Sequence, residues 1–251
     1  MTISWTLLSE LPAGAASHPA AWLGPEERRR LGSFRVEKRR GDWLRGRLAA
    51  KCLVARVLGE TGHSEPSPDA LEIVAEPSGA PTVRLAGGKA LPVGVSISHS
   101  EGSAFCAAWG GAPGDLSAGV DLERIAPRSE GLVRDFFRPA EASAWETLAP
   151  GSARDAFATA VWSAKEAVLK ALRLGLTVDT RSVEILLSRS PAPGVPGLPR
   201  PEGGGWMGFA ACCAPGLPGG DRLLAGFWRE QDGFVLSVAV AGGRSERSHA
   251  A

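Results

Sequence analysis

Trp162-Ser163-Ala164-Lys165-Glu166-Ala167-Val168-Leu169-Lys170 holds neither Pro nor Gly and lies inside a helix-permissive run from Arg154 to Leu172. At about 100° per residue, Trp162, Glu166 and Lys170 stack on one face of the predicted helix. Phe157, Val161, Val168 and Leu172 fall on the roughly opposite face, the expected core side. The helix therefore presents an acid and a base one turn apart beside an indole. Alone, this is equally the pattern of a surface Glu-to-Lys pair.

Upstream, Gly119-Val120-Asp121-Leu122-Glu123 alternates apolar and acidic residues. That period of two predicts a strand with both carboxylates on one face, separated by roughly 6.5 Å along the backbone. An outward-facing strand could carry the same pattern. If the helix folds against this strand, Glu166 adds a third carboxylate, and Asp121, Glu123 and Glu166 make a hard-oxygen set suited to Mg²⁺.

Composition describes a chain able to bury a core: 251 residues, 44% hydrophobic, net charge +1. That balance gives no overall pull toward nucleic acid or a membrane surface. No apolar run approaches 18 residues and the opening lacks a signal-peptide pattern, so the expected location is cytoplasmic. Cys52, Cys106, Cys212 and Cys213 show no C-x-x-C spacing and give no zinc site. The vicinal pair reads as two small residues on opposite faces of a strand.

The segments divide into two halves. Residues 1–115 give an opening strand, a helical region from Pro25 to Leu58, and strands near Leu71–Ala75, Thr82–Leu85 and Phe105–Trp109. Residues 116–251 give a strand at Ala118–Glu123, helices near Ala140–Leu148 and Arg154–Leu172, and strands near Val183–Leu187, Trp206–Cys213, Leu223–Arg229 and Phe234–Val240. Helices followed by several strands, twice over, predict a pseudo-duplicated α+β architecture without a visible repeat at the residue level. Ser190–Gly205 reads as a loop or hairpin excursion and residues 242–251 as a disordered tail.

Charge is uneven. Between Glu26 and Lys51 stand ten Lys or Arg against four Asp or Glu, which is either a solvated basic helix face or an anion site for a ligand with several phosphates. His99, in Ser96-Ile97-Ser98-His99-Ser100, follows an apolar strand start and precedes a turn. It is either a hydrogen-bonded structural residue or a cation presented to phosphate.

Together these segments resemble the 4′-phosphopantetheinyl transferases, in the larger single-chain form that serves polyketide and peptide synthetases. The resemblance rests on the two opening stretches and on Ser96–Ser100. It extends to Asp135-Phe136-Phe137 with Glu141, to Leu174-Gly175-Leu176, and to Pro25-Glu26-Glu27-Arg28 with Leu44–Lys51. It runs in order over roughly residues 23–190. It implies a pseudo-duplicated two-lobe fold with the active site between lobes, a monomer, and Mg²⁺ as cofactor. Coenzyme A would be co-substrate and a serine of an acyl or peptidyl carrier protein the acceptor.

By the same resemblance Asp121, Glu123 and Glu166 hold the metal, Glu166, directly or through a metal-bound water, is the candidate to take the serine proton, and Lys170 meets the leaving phosphate. Lys38, Arg40, Arg47, Gly79, Pro81, Ser98, His99 and Lys170 contact coenzyme A. Lys165, about 100° off that face, has a supporting role at most. Arg124, Arg173, Leu174 and Leu176 are the carrier-docking residues, unless the two leucines fold under the next strand. One departure stands out: Ser78-Gly79-Ala80-Pro81 has Ala80 where the family carries a coenzyme-binding base. Either Arg84 or Arg47 supplies the missing charge, or the coenzyme is held less tightly. The alternatives to transfer are a carrier-binding module without chemistry and a Mg²⁺-dependent pyrophosphate hydrolase.

Overall fold

A computed structural model describes residues 2–111, 116–192 and 194–243. The chain divides into two compact units, Met1–Gly114 and Asp115–Ala251. Both are mixed α+β, and all the strand pairings within them described below are antiparallel.

The first unit runs β1 (Thr2–Leu8), α1 (Ala13–Ser17), α2 (Pro25–Leu31), α3 (Glu37–Glu60), β2 (Leu71–Ala75), β3 (Pro81–Leu85), β4 (Val93–Ser100) and β5 (Ser103–Gly110). Strand β5 pairs with β4 on one side and β1 on the other, and β2 and β3 form a hairpin. The expected continuous helix from Pro25 is broken. Gly32 caps α2, and the chain is extended at Val36 before α3 begins, as suits a β-branched residue. Helix α3 lies over β5 and β4, burying Ala50, Leu53, Val54 and Val57 against Ile73, Val83 and Cys106. Strand β4 is complete where the sequence reading has only a strand start, so His99 stands inside it, opposite Ala104.

The second unit runs β6 (Leu116–Arg124), α4 (Glu130–Phe136), α5 (Pro139–Glu146), α6 (Ser152–Ala171), β7 (Val183–Pro191), the two-residue β8 (Arg200–Pro201), β9 (Met207–Cys213), β10 (Leu223–Gln231) and β11 (Phe234–Gly242). Five strands make one sheet in the order β6-β11-β10-β9-β7. Helix α6 lies across β6 and β11, with Val161, Val168 and Leu172 in the core as expected. Helix α4 is an element the sequence reading lacks. Ser129 caps it by accepting the Leu132 amide hydrogen. The expected tail begins too early, since β11 continues through Gly242; residues 244–251 lie outside the described residues.

The two units repeat one topology. In each, the first strand pairs with the last, the last two strands form a hairpin, and three helices follow the first strand. A residue-level repeat also exists. Pro25-Glu26-Glu27 with Lys51 matches Pro139-Ala140-Glu141 with Lys165, the lysine following the second Glu of the first set and the Glu of the second by 24 residues. No helix among the described residues is long and apolar enough to cross a membrane.

Candidate active site

Strand β6 carries Asp121 and Glu123 on one face, and α6 crosses it closely enough for side chains to meet. Gly119 permits this approach: a Cβ there would collide with the Ala167 carbonyl and the Ala171 amide of α6. The alanines of α6 thin the same contact. Across the sheet, Ser237 of β11 stands opposite Asp121 and is fully buried.

The helix brings Lys170 onto the strand. Its ammonium lies 2.7 Å from Asp121 Oδ1, donates to the Val120 carbonyl at 3.2 Å, and lies 3.5 Å from Glu166 Oε2. Asp121 is 2% exposed. Glu166 and Asp121 share a side-chain hydrogen bond, and burial, then the Asp121 charge, push the Glu166 carboxyl up to about 7, against the pull of Lys170. Burial draws the Lys170 ammonium down, but Asp121 and Glu166 outweigh it and leave its pKa raised. This cluster is a pair of carboxyls in hydrogen-bond contact, bridged by a lysine.

Glu123 is differently engaged. Its Oε1 accepts the Trp162 indole N–H at 3.2 Å and its Oε2 pairs with Arg128 at 2.8 Å. Trp162 thus touches the acidic set and also stacks edge-on to Phe136, with ring centroids 5.2 Å apart. Arg128 is a site neighbour the sequence reading misses, since nothing in its spacing sets it apart from other surface arginines.

The three carboxylates expected to hold the metal stand in two different settings. Among the described residues no set of three or more His, Cys, Asp and Glu side chains stands ready to hold a metal ion. Glu123 is turned to Arg128 and Trp162, and the Lys170 ammonium stands on Asp121. As donors the three carboxylates still fit Mg²⁺: after burial, the charges of Asp121 and Glu123 raise Glu166, and that part of the conflict is one a hard divalent cation would relieve.

In the first unit, the start of α3 and the β4–β5 hairpin are neighbours. Lys38 pairs with Glu101 at 3.9 Å, and Gly46 lies so close to His99 that a Cβ would strike the imidazole. Arg47, next in sequence, is largely buried, with its Nε 3.8 Å from Glu27 and its guanidinium over Trp43. Burial lowers its pKa, with Glu27 opposing. Ser98 is buried beside His99 in β4. Lys38 and His99 both stand where α3 meets the β4–β5 hairpin, whereas Ser98, next to His99 in the strand, points to the other face of the sheet and Arg47 is turned to Glu27 and Trp43; Arg40 pairs with Glu37 on the first turns of α3. Gly79 and Pro81 belong to another element, the β2–β3 turn, where Gly79 takes a positive φ of 84°. Arg84, one of the two residues weighed for the base missing at Ala80, pairs with Glu26 and, at 3.0 Å, with Glu72, and the other, Arg47, pairs with Glu27.

Of the docking residues, Arg173 is exposed just past α6 with a left-handed φ of 59°. Arg124, exposed at the end of β6, donates to the Asp232 carbonyl and lies over the Phe234 ring. Leu174 is half-buried and packs against the core of the second unit. The Leu176 side chain lies outside what is described.

Residues 117–208 match the family model of the 4′-phosphopantetheinyl transferase superfamily, a span that takes in Asp121, Glu123, Glu166 and Lys170. No curated protein matches the chain. Among solved structures it is similar to the holo-[acyl-carrier-protein] synthase (AcpS) of Thermotoga maritima, at 18% identity and a TM-score of 0.35. That likeness covers 51% of this chain and 64%, under two thirds, of the synthase.

Proposed function

We propose that the protein moves the 4′-phosphopantetheine group of coenzyme A onto a serine of an acyl or peptidyl carrier protein, releasing adenosine 3′,5′-bisphosphate. The observation that carries this reading is the Asp121–Lys170–Glu166 cluster, which lies within the family-matched span and keeps one carboxyl near neutral pKa.

The serine oxygen forms a bond to the phosphorus that bears the pantetheine arm, and the bond from that phosphorus to the bridging oxygen breaks. Positioning and charge neutralisation dominate such a step. Glu166 accepts the serine proton, a task suited to a carboxyl raised to about 7. Lys170 meets the charge gathering on the departing phosphate oxygen. Asp121 orients Lys170 and keeps it protonated. Asp121, Glu166 and Glu123, the last after yielding its contact with Arg128, would hold Mg²⁺, which when bound neutralises the pyrophosphate. Arg47, His99, Ser98 and Lys38 would grip the coenzyme phosphates.

The test is incubation with coenzyme A, Mg²⁺ and a panel of apo carrier proteins, followed by intact-mass analysis. A carrier gaining one phosphopantetheine, and losing that gain when its serine is replaced by Ala, is the result expected. Adenosine bisphosphate released without any carrier would mark a hydrolase instead. Carrier binding with no product would leave only a docking module.

A further inference from the structure

Lys165 is the residue of α6 that its surroundings explain least. It is a lysine with no exposed surface, one position before Glu166. Its ammonium pairs with Glu141 at 2.8 Å and donates to the carbonyls of Thr180 and Val183, so all its protons have acceptors. Glu141 is equally satisfied. It caps α5 by accepting the Arg138 amide at 2.7 Å and anchors β7 by accepting the Ile185 amide at 2.6 Å.

The first unit builds the same device. Lys51, also without exposed surface, pairs with Glu27 and donates to Trp22 and Pro68 carbonyls, each at 2.9 Å. Glu27 caps α2 through Gly24 and anchors β2 through Ile73. What differs is the next residue, Cys52 after Lys51 and Glu166 after Lys165. The pair is thus a fold device present twice, with the acidic cluster's chemistry beside one copy only.

The rest of the buried face of α6 is rich in small side chains, Ala158, Ala160, Ala164, Ala167 and Ala171. Such a face has little relief to set helix rotation, whereas a buried ion pair loses all its acceptors if the helix turns or slides. We infer that Lys165 and Glu141 are positioning residues, a buried pin that sets the rotation of α6 and so holds Glu166 and Lys170 against Asp121. This rests on the proposed function for its consequence, though not for its geometry.

The test compares Lys165→Met/Glu141→Gln with the equivalent change in the first unit, Lys51→Met/Glu27→Gln. Lys165→Met or Lys51→Met alone strands a buried carboxylate and is expected to fold poorly; each double variant removes both charges, and Glu141→Gln keeps one oxygen for one of the Arg138 and Ile185 amides that Glu141 accepts through its two oxygens. Hydrogen exchange over residues 162–171 should quicken in the second-unit variant and stay as wild type in the first-unit variant at matched thermal stability. The Mg²⁺ concentration for half-maximal transfer should rise about tenfold in the second-unit variant only. A folded second-unit variant with wild-type exchange, or equal acceleration in the first-unit variant, overturns the inference. Absence of transfer by the wild type would sink the functional reading alone, because the exchange comparison needs neither metal nor substrate.

Discussion

Lys170 and Asp121, 49 residues apart in the chain, stand 2.7 Å apart in space, and the contact joins the two sequence stretches that suggest the function. The ammonium also faces Glu166, so one cation serves two carboxylates. Lys170→Met should lower kcat by about a hundredfold or more while leaving the carrier KM nearly unchanged, since the charge it meets develops only as the phosphate leaves. Steady-state kinetics decide this. A change confined to KM would make Lys170 a ground-state contact.

The Glu166 carboxyl makes metal-free stability depend on pH. Its folded pKa of about 7 exceeds its ordinary value of 4.5, so between these values the native state binds more protons than the unfolded one. Stability contributed by the proton is therefore full below about 4.5 and is lost as pH rises through about 7. The loss is on the order of 2 kcal/mol. Denaturant melts in EDTA should show this decline, and Glu166→Gln should flatten it. Mg²⁺ should restore stability at pH 8 and have little effect at pH 5, because the metal takes only the ionised site.

Much of this site is legible in the sequence because two local periods, two residues in Val120–Glu123 and 3.6 in Trp162–Lys170, fix which side chains share a face. What is not legible depends on acceptors remote in sequence. The burial of Lys165 is set by Glu141, Thr180 and Val183, and a helical lysine looks the same with or without them. Arg128 meets Glu123 because the chain turns after β6, which no periodicity encodes. Helix α4 is missed because its seven residues are too few for a helical period to emerge, and the break after α2 because the weak helix formers Gly32, Ser33 and Val36 stand between two longer runs that favour helix.

Gly119→Ala tests the close approach that brings strand and helix together. The added methyl would strike backbone atoms of Ala167 and Ala171, which have no rotamer to yield. A cost of about 1–3 kcal/mol is expected from overpacking. Lifting Lys170 and Glu166 away from Asp121 should cost about a hundredfold in kcat besides. Urea melts and turnover measured on one preparation check both. Full activity in a destabilised variant would show that the contact serves the fold alone.

Arg47 is a buried guanidinium one residue from the glycine that touches His99. If it grips a coenzyme phosphate remote from the reacting bond, Arg47→Gln should raise the coenzyme A KM about tenfold with little change in kcat. Dephospho-coenzyme A separates the phosphates: an effect that vanishes with it assigns Arg47 to the 3′-phosphate, and one that persists assigns it to the pyrophosphate. Unchanged KM for both coenzymes would leave Arg47 as a partner of Glu27 and Trp43 only.

Carrier docking is the prediction with the widest consequence. Arg173 is exposed at a left-handed turn after α6 and Arg124 at the end of the metal strand. Both would meet an acidic partner through long-range attraction more than through buried contact. Arg173→Glu keeps whatever backbone strain a non-glycine residue has at φ 59°, so strain does not enter the comparison. Arg124→Glu also loses its bond to the Asp232 carbonyl and its place over Phe234, and needs a stability measurement beside it. Each reversal should slow association with the carrier and flatten its dependence on ionic strength, while coenzyme A affinity stays put. Stopped-flow association across a salt series measures this directly. Equal loss of coenzyme and carrier affinity would move these arginines out of docking, and unchanged association in both would place the carrier on a different face.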